Sequence, residues 1–168
     1  HDFAIKLKKT EKVVNSVNFP LKPKEGEYSR PYECKIATEM NFIVAAYRYI
    51  NRLEIYKLSD QKFQLNTIIG DANNQYDLYR LNKDNEMILH YSDIVCGKNQ
   101  IYALYRSVKE KELSSANSKI EVYSYDGTHL RTFDLGRSIE KILVDESSMR
   151  IYAFDRNEEK DIVFCYAI

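Results

Sequence analysis

The chain has 168 residues, and Lys plus Arg balance Asp plus Glu at 25 each, so the formal charge is zero. No stretch gathers positive charge as a nucleic-acid footprint does, and nucleic acid is not an expected partner. Hydrophobic residues make up 44%, with only five Gly and three Pro, which excludes collagen-like and disordered classes and leaves one compact domain of ordinary size.

In chain order, HDFAIKL opens the sequence with Phe3, Ile5 and Leu7 alternating, the period of a strand. Residues 1–20 are expected to form an outer strand or a linker. HDFAIKLKKTEKVV lacks the apolar core of a signal peptide, and no run approaches the roughly 20 apolar residues that span a bilayer. Because the first residue is His1, the stretch is expected to follow a removed segment or to begin inside a longer protein. A polar loop, Leu21–Pro31, comes next.

From residue 33 onward a repeat becomes visible. IVAAYR at Ile43, IYALYR at Ile101 and IYAFDR at Ile151 are three versions of one hexamer, at intervals of 58 and 50 residues. Repeats of roughly 40 to 50 residues are the range of propeller blades. The first unit, 33–70, reads as four strands: Glu33 to Glu39, Phe42 to Tyr49, Arg52 to Ser59 and Gln64 to Ile69. The second, 87–136, reads the same way: Tyr91 to Cys96, Gln100 to Ser107, Lys119 to Tyr125 and His129 to Leu135. In KIEVYSY, Ile120, Val122 and Ser124 face one way and Glu121, Tyr123 and Tyr125 the other, which a helix would scatter. Asp126-Gly127 is expected to make a tight primed hairpin turn. Lys109–Ser118 is longer than a hairpin needs and, with Leu21–Pro31, is a candidate for specificity. The third unit, 138–168, supplies three strands: Ile139 to Ser147, the hexamer, and Asp161 to Ile168.

The hexamer is expected to be a packing module. In a four-stranded blade the second strand is covered on both faces by adjacent blades, so Ala45, Ala103 and Ala153 are small where blades approach closely. Arg48, Arg106 and Arg156 end that strand and are expected to lay a stem over apolar surface with a solvated head. Cys34, Cys96 and Cys165 form no CxxC pair, and buried free thiols are expected.

IYALYR, KIEVYSYDGTHLRTFDL, IEKILVDE and RIYAFDR together resemble the TolB-like six-bladed propeller family, closely over about the last 80 residues and loosely over the first 90. The resemblance implies an all-β fold. This chain would be a partial β-propeller of about three blades of four antiparallel strands, the C-terminal half of a six-bladed ring. It also implies export to the periplasm or cell surface, often as a lipoprotein, and a binding scaffold with no generally assigned reaction. Neither a signal segment nor a lipidated N-terminal Cys has a candidate here.

Chemistry leaves few marks. The sequence has no GxGxxG, P-loop, GxSxG or metal-spaced His pair, so no catalytic residue, metal ligand or cofactor is expected. His1, His90 and His129 are isolated, and His90 is expected to be a satisfied strand residue. The leading reading is a noncatalytic binding or assembly module of the bacterial envelope, with a protein or small-molecule ligand that stays unknown. Its candidate binding residues are Tyr47, Arg48, Asp93, Tyr105, Arg106 and Asp145. The alternative is a metal-dependent propeller hydrolase of the lactonase type, in which Asp93 and Asp145, with Glu146 nearby, would share an ion. Fourteen Tyr and no Trp suit strands and argue mildly against a sugar-stacking platform. Three blades cannot close a ring, so a homodimer completing six blades is expected, with Phe3 to Leu7 of one chain beside Asp161 to Tyr166 of the other.

Overall fold

The structure, a computed structural model, describes residues 2–6, 13–18, 34–71, 87–157 and 160–168. His1, Leu7 and the loop Leu21–Pro31 lie outside these residues, as do the side chains of Phe3, Ile5, Cys34 and Arg156. Strands dominate. β1 (Asp2–Lys6) and β2 (Val13–Asn18) form an antiparallel pair of their own. Sheet 1 runs β3 (Cys34–Glu39), β4 (Phe42–Tyr47), β5 (Arg52–Ser59) and β6 (Lys62–Gly70) in sequence order. Sheet 2 repeats the meander with β7 (Ile88–Cys96), β8 (Gln100–Lys109), β9 (Lys119–Ser124) and β10 (His129–Asp134). Sheet 3 has three strands, β11 (Lys141–Asp145), β12 (Arg150–Asn157) and β13 (Lys160–Ala167). The all-β, antiparallel arrangement agrees with a propeller-like fold, and β7 stands beside both β3 and β11, so the first strands of the sheets are neighbours. Among the described residues no helix is long and apolar enough to cross a membrane.

The hexamer strands β4, β8 and β12 explain how the sheets stack. Strand alternation sends successive side chains to opposite faces. Val44 and Ala46, at the second and fourth hexamer positions, pack with Leu53 and Ile55 against Tyr91, Ile94, Ile101, Ala103 and Tyr123 of sheet 2. In sheet 2 the second and fourth positions, Tyr102 and Leu104, pack with Ile120 and Val122 against Ile142, Ile151 and Ala153 of sheet 3. Even positions therefore face the following sheet and odd positions the preceding one. Ala103 has 0% exposure because both faces of its strand are covered. Asp93 adds a polar tie, its Oδ2 accepting the Ile142 N–H at 2.9 Å. Glu146 adds another, accepting the Lys98 N–H at 2.8 Å and the Tyr102 hydroxyl at 3.2 Å. A Cβ at Gly97 would sit 2.1 Å from a Glu146 carboxylate oxygen, so any side chain there would push that carboxylate aside.

Turn chemistry departs from expectation. At the β9–β10 connection Gly127 alone takes a positive φ (+92°), and its N–H closes on the Ser124 carbonyl at 3.0 Å. That is the longer loop with a left-handed glycine rather than a two-residue primed turn. The primed geometry occurs instead at Asp60 and Gln61, both at positive φ between the paired Ser59 and Lys62.

Candidate functional site

The candidate binding residues do not converge. Tyr47 is buried in the outer face of sheet 1, where its hydroxyl donates to Glu54 Oε2 at 3.0 Å. That carboxylate also accepts the Tyr56 hydroxyl at 2.6 Å and Arg52 Nε at 2.7 Å. Glu54 is fully buried beside the equally enclosed Arg52, a buried ion pair that sequence reading passed over as one more polar alternate. The same E-x-Y spacing recurs at Glu121 and Tyr123, bonded at 2.7 Å, so the repeat itself was the available signal. Tyr105 packs on Tyr91 between sheets 1 and 2, with ring centroids 5.2 Å apart. Asp93 accepts the Ile142 N–H through Oδ2, while Asp145 caps the exposed β11–β12 turn through Ser147 and Ser148. Those bonds hold its carboxyl down at about 2. Among the described residues no three His, Cys, Asp or Glu side chains are placed to hold a metal ion.

Two side chains correct expectation. Arg106 does not keep a solvated head: it is buried, and its guanidinium donates to the Ile139 carbonyl at 3.1 Å, the Leu113 carbonyl at 2.5 Å and Ser138 Oγ. Lys109–Ser118, which includes a 3-10 turn at Glu110–Glu112, leaves the Leu113 carbonyl facing inward, where Arg106 and the Ser138 hydroxyl, at 2.6 Å, both donate to it. Cys165 is exposed and Cys96 half-buried, so burial does not hold for both thiols. Burial pushes the Cys96 thiol up to about 11.

The irregular stretch of sheet 2 lies at the end of the hexamer strand. Leu89 pairs with Val108, Tyr91 with Tyr105 and Asp93 with Leu104. His90 therefore stands opposite two residues, Arg106 and Ser107, while Ser92 has none opposite it. The two bulges have opposite sense and cancel, so the ladder is regular outside them. Ser107 takes a left-handed φ of +50°. His90 Nδ1, Ser92 Oγ and Arg106 Nε are buried with no hydrogen-bond partner in the protein. His90 was expected to be satisfied and is not. Its backbone N–H reaches across to the Arg48 carbonyl at 2.7 Å, and the Arg48 guanidinium sits 5.5 Å from the Tyr49 ring. Of the six candidates, Arg48, Asp93, Tyr105 and Arg106 border this rim, and Tyr47 and Asp145 do not. The available signal was length: the second hexamer is followed by three more strand residues, through Lys109, whereas β4 stops at Tyr47 and β12 at Asn157.

Burial lowers the His90 pKa, with Asp71 pulling the other way, so the imidazole is held neutral. Burial also lowers that of Arg106, opposed by the Glu140 and Asp155 carboxylates. The rim thus carries both charge signs.

The family model for TolB-like 6-blade propeller-like proteins matches residues 10–147. It covers the first part of the chain as well as the second, further toward the N-terminus than the close resemblance extended. Comparisons with curated proteins and with solved structures returned no match. The chain belongs to the TolB-like six-bladed propeller family.

Proposed function

We propose that this chain is a noncatalytic binding or assembly module of the bacterial envelope, contributing three consecutive blades of a propeller. Family membership supports the propeller scaffold and is compatible with export. The observation that carries the noncatalytic reading is the commitment of the carboxylates. Asp93 holds the first strand of sheet 3, Asp145 caps a turn, and Glu146 clamps the β7–β8 turn. Each of the three thus has a structural role of its own. Calcium titration followed by thermal melting tests this. An unchanged Tm is expected, whereas a saturable rise of several degrees would favour the hydrolase reading.

The assembly half of the proposal rests on sheet 3. Leu143, Phe154 and Val163 on its outer face are 52%, 39% and 50% exposed, and β13 has no strand beyond it among the described residues. A head-to-tail ring of two copies would bring this face against sheet 1 of the partner, whose outer face is already buried within its own chain. The contact that fits both ends is therefore sheet 3 against sheet 3 about a two-fold axis. Among the described residues β1 and β13 each have one unpaired edge, and in this proposal those edges pair between the copies.

A further inference from the structure

We propose that the end of sheet 2 around His90 is an acid-sensitive latch: the neutral imidazole keeps a one-residue step in the β7–β8 ladder closed against sheet 1, and its protonation opens that step while the rest of the ladder stays paired. This goes beyond the binding-module reading and does not depend on it. Ile88, Leu89 and Asp93 to Cys96 pair with β8 in one register, and only Tyr91, opposite Tyr105 instead of Arg106, is one residue out. In unbroken alternation residues three apart face opposite ways, yet Tyr91 and Ile94 both pack between sheets 1 and 2. The step is what turns Tyr91 inward. It has a cost, since regular pairing is given up on both sides of Tyr91 and Ser107 is held at a φ of +50°. What holds it against that cost is the burial of Tyr91 and the bond from the His90 N–H to the Arg48 carbonyl at 2.7 Å, which ties the step to sheet 1.

The charge of His90 decides whether that arrangement persists. Its Nδ1 is enclosed with no hydrogen-bond partner in the protein. A neutral ring can leave that nitrogen as a bare acceptor, whereas imidazolium carries a proton on both nitrogens and so buries a charged donor with nothing to receive it. The residues around the step add to the bias. Arg106 stands opposite His90 on β8 and Arg48 adjoins it from sheet 1, so imidazolium would be a third cation there. Of the carboxylates, Asp71 acts on His90 and favours its charge, Glu140 and Asp155 act on Arg106, and Glu110 accepts the Tyr49 hydroxyl at 2.9 Å. Tyr91 and Tyr105, the latter with its ring 6.1 Å from the imidazole, carry no charge in the acid range. Burial outweighs Asp71, and the ring in the closed step takes its proton below 6.5. Once the step opens, the ring meets water and regains its ordinary affinity for a proton. The closed step is therefore favoured fully above about pH 6.5 and loses that advantage as pH falls through the lowered value, the open population rising about tenfold for each pH unit that separates the two values.

The test is amide NMR of the 168-residue protein titrated from about pH 8 to about pH 5. The amides of His90, Tyr91, Ser92, Arg106 and Ser107 should move together, with one midpoint below 6.5 that coincides with the titration of the His90 ring protons, while those of Ile94 to Cys96 stay in place. Protection of the His90 amide from hydrogen exchange should fall at least about tenfold over the same range. His90→Gln should abolish the concerted change. Asp71→Asn, which leaves the imidazole in place and removes the carboxylate that favours its charge, should move the midpoint to lower pH. Absence of the concerted change down to about pH 5 overturns the proposal, as does a change shared by the whole β7–β8 ladder, one that persists in His90→Gln, or a midpoint that Asp71→Asn leaves where it was.

Discussion

The two ends of the sheet stack are built from the same repeat and meet opposite fates. On the outer face of sheet 1 the odd hexamer positions Ile43, Ala45 and Tyr47 are buried with Ile50 and Tyr56. On the outer face of sheet 3 the even positions Tyr152 and Phe154 stand beside Leu143, Val163 and Cys165, with no sheet over them among the described residues. Register makes the equivalence explicit. Val95, Leu104, Ile120 and Val122 of sheet 2 occupy the same ladder positions as Leu143, Phe154, Val163 and Cys165 of sheet 3. The first set is covered by sheet 3, and the second is left in water. Side-chain type is thus set by the face a position belongs to, while exposure is set by whether a neighbour is present. Cys165 is exposed for that reason alone: its counterpart Val122 is fully buried.

The comparison can be broken hardest at the closed end. Glu54→Ala removes the buried carboxylate that Arg52 and the Tyr47 and Tyr56 hydroxyls share, and should cost about 3 to 5 kcal/mol in denaturant melts. A loss near zero would mean that the outer face of sheet 1 is not closed. Next comes the middle of the stack, where Ala103→Leu should cost about 1 to 3 kcal/mol by overpacking between sheets 1 and 3. At the open end Leu143→Ser should change the stability of the isolated chain by less than about 0.5 kcal/mol, because the side chain is 52% exposed. Equal costs for Leu143→Ser and Ala103→Leu would erase the distinction between the ends.

Titration sharpens the same map. The folded pKa of His90 lies below its unfolded value, so its contribution to stability is present above about pH 6.5 and is lost as pH falls through the lowered value. His90→Gln should remove that part of the pH–stability slope. Asp145 follows the same sign in a lower window, from its ordinary value down to about 2, and Asp145→Asn should flatten only the acid end.

Much of this was legible in the residues. The hexamer located the second strand of each sheet, Arg52–Ser59 emerged with the expected bounds, and the third unit has its three strands. Alternation also made Ala103 a double-packed residue before any contact was visible. The bulges at His90 and Ser92 were not legible, because two slips of opposite sense leave the flanking alternation intact. Nor was the burial of Arg106: which carbonyls face it depends on how Lys109–Ser118 folds back, a tertiary fact with no local pattern. VVNSVN, the source of β2, carries polar residues inside a short apolar run and gave no strand signal.

Sedimentation velocity on the wild-type chain beside a Leu143→Glu, Phe154→Glu double variant tests the open-face account most directly. The account predicts that the wild type associates with rising concentration toward twice 19.8 kDa, and that the variant stays monomeric with unchanged strand content. A wild type that remains monomeric across micromolar concentrations, or a variant that associates as strongly, would contradict it.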